Sequence, residues 1–331
     1  MQDRYRLVRP LRQLDEWEPS EIFEIVDGEQ TKVLKALKQE SFHIQFEQEV
    51  KTLQHLKHPG IPSVEADGYF TLQLPQQRQL RCFVMEHIKG VNLSTWLQQH
   101  GSLDWETAAD WLRQLAEVLN ELHAEKLFHR DIKLSNIMLR PSGQMALIDF
   151  GTARIMTSTY FAKVASKYDI TSIVSPGYTP LEQLNGRAIP QSDFYALGRS
   201  MVHLLTGEHP IDLPEDESTG RLNWLDKAAQ PVPLWFVQLL NDMMAPFPGQ
   251  RPLNAQALIE RLEQKKAVRS PKQTSSETSR KTSGENSRSA RWLIIANLIV
   301  LLMQLFLIPA LRSLRSHYIQ QNRTDSDLRA K

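Results

Sequence analysis

Within the eight residues His129-Arg130-Asp131-Ile132-Lys133-Leu134-Ser135-Asn136 the chain sets out a carboxylate, two cations and an amide, and Asp149-Phe150-Gly151 follows thirteen positions after Asn136. The carboxylates and the amide oxygen are hard donors of the kind magnesium takes beside phosphates. A carboxylate can also accept the proton of an attacking hydroxyl. Phosphoryl transfer asks for such positioning and charge neutralisation, and for little covalent help.

In order and spacing these residues form H-R-D-x-x-x-x-N followed by D-F-G, and the chain here resembles the protein-kinase family, in particular its bacterial Ser/Thr members. The resemblance covers about residues 5–262. It implies that Asp131 is the base and that Lys133 contacts the transferred phosphate. Arg130 is implied to pair with a phosphate on the activation segment, and Asn136 and Asp149 to hold Mg²⁺. Val33-Leu34-Lys35 resembles V-A-I-K, so Lys35 is expected to hold the α- and β-phosphates of ATP with Glu49 as its partner. Glu47 stands about 200° around the same helix, so one of the two acids faces the site and the other does not. Phe83-Val84-Met85-Glu86-His87-Ile88 resembles the interlobe hinge. Met85 would be its gatekeeper, the Glu86 carbonyl and Ile88 amide would bond the adenine edge, and Val33 and Met138 would sandwich the ring.

Further along, Ser175-Pro176-Gly177-Tyr178-Thr179-Pro180-Leu181-Glu182 is similar to G-T-P-G-Y-x-P-P-E, which implies a structural pair between Glu182 and Arg251. Ser175 stands where Ser/Thr kinases carry Thr, which favours hydroxyl amino acids as substrates. Asp193 matches the helix-start residue that braces the catalytic loop. Between Asp149 and Glu182 the hydroxyls Thr152, Thr157, Ser158, Thr159, Thr171 and Ser172 are candidates for phosphorylation. One departure stands out. Where the family has G-x-G-x-x-G, residues Leu11 to Ser20 contain no glycine, and Asp15, Glu16 and Glu18 place carboxylates there. Backbone amides approach phosphates closely only where side chains are small, so weaker ATP binding is expected.

These residues need elements to hold them. With 331 residues, 41% hydrophobic and 23% charged, the chain is of ordinary globular composition, which excludes wholesale disorder and collagen-like or disulfide-scaffold classes. Cys82 is the single cysteine, so no intrachain disulfide forms. Strands are expected over Tyr5–Arg9, Glu21–Val26 and Thr31–Leu37, with an Asp27-Gly28 hairpin turn. A helix should run from Ser41 to about Leu56, and a second hairpin should pair Tyr69–Leu74 with Leu80–Glu86. From about residue 91 the pattern is helical. Ser102 is expected to cap a helix reaching Glu125 with a buried stripe at Ala108, Leu112, Leu115, Leu119 and Leu122. Further helices are expected over Ser192–Thr206 and Asn254–Gln264. No signal peptide or internal repeat is apparent.

The expected fold is therefore α+β, a two-lobed protein-kinase-like architecture with a β-rich lobe at 1–89 and an α-rich lobe at 90–264. Residues 265–291 read as a disordered linker, since ten of the twenty residues from Ser270 to Ser289 are Ser or Thr. Residues 292–311 carry no charge and seventeen of the twenty are apolar, enough for one transmembrane helix, and 312–331 is a short polar tail. Net charge is +5 over 263–291 and +3 over 312–331, against +1 for the whole chain, so 1–262 is acidic and a nucleic-acid partner is not expected. The expected function is a membrane-anchored, ATP- and Mg²⁺-dependent serine/threonine protein kinase. Its substrates would be proteins, itself included, and its kinase part cytosolic. The alternative is a catalytically weak or inactive pseudokinase acting as a membrane-tethered scaffold. Asn297 and Gln304, seven apart, would permit weak self-association in the membrane.

Overall fold

The computed structural model describes residues 4–12, 19–75, 78–152, 154–155 and 174–269. All of them belong to one compact unit, Met1–Ser270. Residues 265–269 of the expected disordered linker are instead the last turn of a helix, which continues past Gln264; the rest of the linker, the membrane span and the tail lie outside the described residues. The same holds for 13–18 and for 156–173, with their candidate phosphorylation sites Thr157, Ser158, Thr159, Thr171 and Ser172.

An antiparallel five-stranded sheet forms the first layer, in the order β1 (Tyr5–Pro10), β2 (Ser20–Asp27), β3 (Gln30–Leu37), β5 (Gln79–Glu86), β4 (Val64–Gln73). The β2–β3 hairpin closes as anticipated, with Asp27 opposite Gln30 and Gly28 at φ +61°, a conformation a side chain disfavours. Helix α1 (His43–His55) packs on this sheet through Phe46, Val50 and Leu53, and Phe46 meets Phe83 of β5 edge to face, ring centres 5.1 Å apart. A short 3₁₀ turn over Glu40–Phe42 occupies the start expected for this helix.

The second layer is helical. After β6 (Val91–Asn92) come α2 (Leu93–His100) and α3 (Trp105–Ala124). Leu112, Leu115, Leu119 and Leu122 are buried as the stripe requires, at about 1.5–3 kcal/mol of transfer energy for each side chain. The cap of α3 corrects the sequence reading. Asp104, not Ser102, caps it by accepting the Thr107 N–H at 2.8 Å. Helix entry is delayed because the Leu103 N–H is spent on the Leu204 carbonyl at 2.8 Å. Short strands β7 (Leu127–Phe128), β8 (Ile137–Leu139), β9 (Met145–Leu147) and β10 (Arg154–Ile155) follow, with β6, β8 and β9 forming one small sheet and β7 and β10 another. The remainder is α4 (Leu181–Leu184), α5 (Pro190–Thr206), α6 (Leu234–Met243) and α7 (Ala255–Arg269). Gly207 ends α5 at φ +75°. Among the described residues no helix is long and apolar enough to cross a membrane.

A buried ion pair ties the helical layer together. Arg251 donates to Glu182 at 2.6 and 3.2 Å and also to the carbonyls of Ala245, Gln191 and Pro246. Removing one member of such an enclosed pair costs about 3–5 kcal/mol, because the other charge is left buried.

Candidate active site

Lys35 and Glu49 meet where β3 and α1 face each other. The Lys35 ammonium bonds both Glu49 oxygens at 2.8 Å and reaches Asp149 Oδ1 at 3.2 Å. Lys35 is 4% exposed and Glu49 2%. Glu49 turns inward, while Glu47 bonds Arg81 and Tyr69 on the other side. Burial pulls the Lys35 ammonium toward lower pKa, but the charges of Glu49 and Asp149 outweigh it and hold the lysine above its ordinary value. Burial pushes the Glu49 carboxyl up, opposed by Lys35. Asp149 is held down at about 2, chiefly by the Lys35 charge. Gly151 makes this cluster possible, because a Cβ there would stand 2.9 Å from the Lys35 nitrogen and 3.1 Å from Glu49 Oε2.

The second half of the site is the turn after β7. Asp131 Oδ1 accepts from the Ser175 hydroxyl at 2.6 Å, and Oδ2 faces Lys133 at 2.9 Å and Asn136 Nδ2 at 2.9 Å. Lys133 also reaches the Ser175 hydroxyl, at 3.1 Å. The Asn136 amide nitrogen donates to the Asp131 carbonyl too, so a cation would be met by its Oδ1. Arg130 and Asp149 adopt φ of +73° and +65°, conformations that non-glycine residues rarely take. The first is over-determined by its neighbours. Asp193, fully buried, accepts the backbone N–H of both His129 and Arg130 at 2.8 Å, and Gln183 donates to the Arg130 carbonyl at 2.6 Å.

Of the remaining candidates, Val33 and Met85 stand opposite each other on β3 and β5, on the Lys35 face of the sheet. Met138 is half-buried in β8, and Ile88 is buried just beyond β5. The Glu86 side chain bonds Arg140 at 2.8 Å and its N–H donates to the Ser63 carbonyl at 2.9 Å.

Several participants escaped the sequence reading. His129 Nε2 bonds the Ile148 carbonyl at 3.1 Å, which requires the proton on that nitrogen, and Nδ1 accepts the Asp131 N–H at 3.3 Å. His123 bonds Asp193 Oδ2 at 2.9 Å, and Tyr178 pairs with His203 Nδ1 at 2.6 Å behind the Ser175 segment. Nothing in local sequence separates His123 and His203 from ordinary core histidines, since these partners lie 70 and 25 residues away, and the H-R-D motif does not itself show that His129 bonds Ile148.

A model of the protein kinase domain matches residues 20–271 of the chain. Serine/threonine-protein kinase PknA of Nostoc is 34% identical over 54% of this chain and 32% of its own length. Serine/threonine-protein kinase C of Synechocystis is 31% identical over 66% of this chain and 40% of its own length. PknA of Mycobacterium tuberculosis is 31% identical over 58% and 44%. Each alignment therefore spans less than half of the relative.

Burial lowers His203 to about 4 from an ordinary 6.5. The unfolded chain then binds its proton more readily than the folded one. This histidine's contribution to stability is complete above pH 6.5 and is lost as pH falls from there toward 4. The urea midpoint of the full chain should therefore drop less between pH 7.5 and 5.5 in His203→Gln than in wild type. Identical pH dependence in the two proteins would contradict the assignment.

Proposed function

The chain belongs to the protein kinase domain family, and from that premise we propose that it transfers the γ-phosphate of ATP to serine or threonine hydroxyls of proteins, its own included. The observation that carries this reading is the convergence of two charged sets from distant parts of the chain: Lys35 with Glu49 and Asp149, and Asp131 with Lys133 and Asn136. In this reading Lys35 holds phosphate oxygens, fixed in place by Glu49. Asp149 and the Asn136 amide oxygen fit Mg²⁺ as hard donors, Asp149 being ionised at any physiological pH. The ion neutralises charge on the phosphates when bound. Asp131 takes the substrate hydroxyl's proton, and it already bonds a hydroxyl at 2.6 Å. Lys133, beside that carboxylate, meets the transferred group. Val33, Met85, the backbone at Glu86 and Ile88, and Met138 would frame the adenine.

We further propose that 292–311 anchors the protein as a single membrane span, with the kinase part in the cytosol. Support comes from the charge-free apolar run and from eight Lys/Arg in 263–291 against five in 312–331. The glycine-free stretch at 11–20 favours a second reading, a weak or inactive module that tethers partners at the membrane.

Two experiments test these proposals. Purified full-length protein should transfer γ-phosphate to a Ser/Thr protein, and Asp131→Asn or Asp149→Asn should lower the rate at least about a hundredfold with little change in melting temperature. Wild-type rates in Asp131→Asn would remove the assigned base, and no transfer by wild type would favour the tethering module. Protease added outside intact cells should spare the kinase part; its digestion there would overturn the topology.

A further inference from the structure

The short helix α4 is turned inside out. Leu181 is 68% exposed and Leu184 38%, whereas Gln183 between them is 1% exposed. Burying an amide is costly unless its groups are bonded, and here a bond goes to the turn that carries Asp131. Gln183 Nε2 donates to the Arg130 carbonyl at 2.6 Å, 53 residues back in the chain. That carbonyl belongs to the peptide joining Arg130 to Asp131. The nitrogen of the same peptide, the Asp131 N–H, donates to His129 Nδ1 at 3.3 Å. On the preceding peptide, the Arg130 N–H donates to Asp193 Oδ1 at 2.8 Å. Arg130 stands at φ +73°, a conformation that a non-glycine residue keeps only where its surroundings over-determine it. Asp193 grips this residue by its N–H and Gln183 by its carbonyl.

A peptide unit is rigid and planar, so any rotation of the Arg130 carbonyl carries the Asp131 Cα and its carboxylate with it. Gln183 itself stands on a fixed base. Its own N–H donates to the Pro180 carbonyl at 3.0 Å, and its neighbour Glu182 bonds Ser192 at 2.7 Å and Arg251 at 2.6 Å. We infer that Gln183 is a positioning residue for phosphoryl transfer: its amide fixes the peptide plane ahead of Asp131 and so aims the base, with the buried Glu182–Arg251 pair as its anchor. This deepens the reading of Asp131 as the base and rests on it. The bond to Arg130 is made to the backbone and not to a phosphate-binding side chain. Its loss should therefore be felt in the chemical step and not in nucleotide binding.

Steady-state γ-phosphate transfer by the full-length protein to a Ser/Thr protein tests this in Gln183→Met and Gln183→Glu, with melting temperature measured beside it. Methionine is close in length and volume but has no N–H donor. In Gln183→Met, kcat should fall about ten- to hundredfold, as for a base displaced by about 1 Å, while KM for ATP stays within about twofold. An ionised carboxylate cannot donate either, but a protonated carboxyl can. Burial against a carbonyl raises the pKa of such a carboxyl. The ratio of Gln183→Glu to wild-type kcat should therefore rise severalfold between about pH 8.5 and about pH 6, whereas the Gln183→Met ratio stays flat. Wild-type kcat in folded Gln183→Met overturns the assignment. So does a rise in KM for ATP as large as the fall in kcat, which would mark a general loosening of the cleft, and so does a Gln183→Glu ratio that ignores pH. If Gln183→Met does not fold, the pH response of Gln183→Glu decides, and failure of both to fold would make the residue structural and overturn the role. Wild type that transfers no phosphate would instead sink the transfer reading itself, an outcome distinct from all of these.

Discussion

The structure depends on holding the Lys35 ammonium against the Glu49 and Asp149 carboxyls at the meeting point of sheet and helix. Removing Lys35 and Glu49 from water costs several kcal/mol per ion, and only their close mutual contact, with the half-buried Asp149 beside them, offsets it. The contacts are close because three separate elements are brought to one point: β3 supplies Lys35, α1 supplies Glu49, and the turn after β9 supplies Asp149. Gly151 leaves the space in which they meet. The same cluster therefore joins the sheet to the helix on it and fixes the position of the Lys35 ammonium. Preorganised charge of this kind contributes most where water is excluded.

A second buried charge does comparable work on the other side of the cleft. Asp193 sits at the start of α5 and accepts two successive backbone N–H groups, which holds Arg130 in its unfavourable conformation and so aims Asp131. From there a continuous chain of bonds runs outward. Gln183 holds the Arg130 carbonyl, Glu182 next to it bonds Ser192 and Arg251, and Ser175 at the head of that segment bonds Asp131. The Ser175–Glu182 segment and the Asp131 carboxylate are thus parts of one hydrogen-bonded network. A shift in one displaces the other.

Much of this was legible in the sequence where the signal is local. The Asp27-Gly28 turn, the stripe on α3 and the Gly207 helix end follow from short-range rules, and the structure has them. The choice of Glu49 over Glu47 came from the family resemblance, helical phase saying only that one of the two faces the site, and it matches the geometry. Local rules failed where tertiary contacts decided. Ser102 looked like a cap, but Leu103 bonds to Leu204 and the helix starts after Asp104. Helix α6 was not anticipated, since Leu234-Trp235-Phe236-Val237 is an unbroken apolar run without a helical period. The roles of His129, His123 and Gln183 depend on partners far away in sequence, and no spacing rule reaches them.

The most direct test of the central claim is the rate of γ-phosphate transfer by Gly151→Ala, measured beside its urea midpoint. The added Cβ would sit 2.9 Å from a lysine nitrogen clamped by two carboxylates, so that nitrogen must shift against its partners to admit it. A displacement of about 1 Å at such a site can lower a rate on the order of a hundredfold. The account predicts a loss of at least about tenfold in kcat/KM with the protein still folded. A folded Gly151→Ala protein that transfers phosphate at the wild-type rate would show that the position of Lys35 does not govern the chemistry.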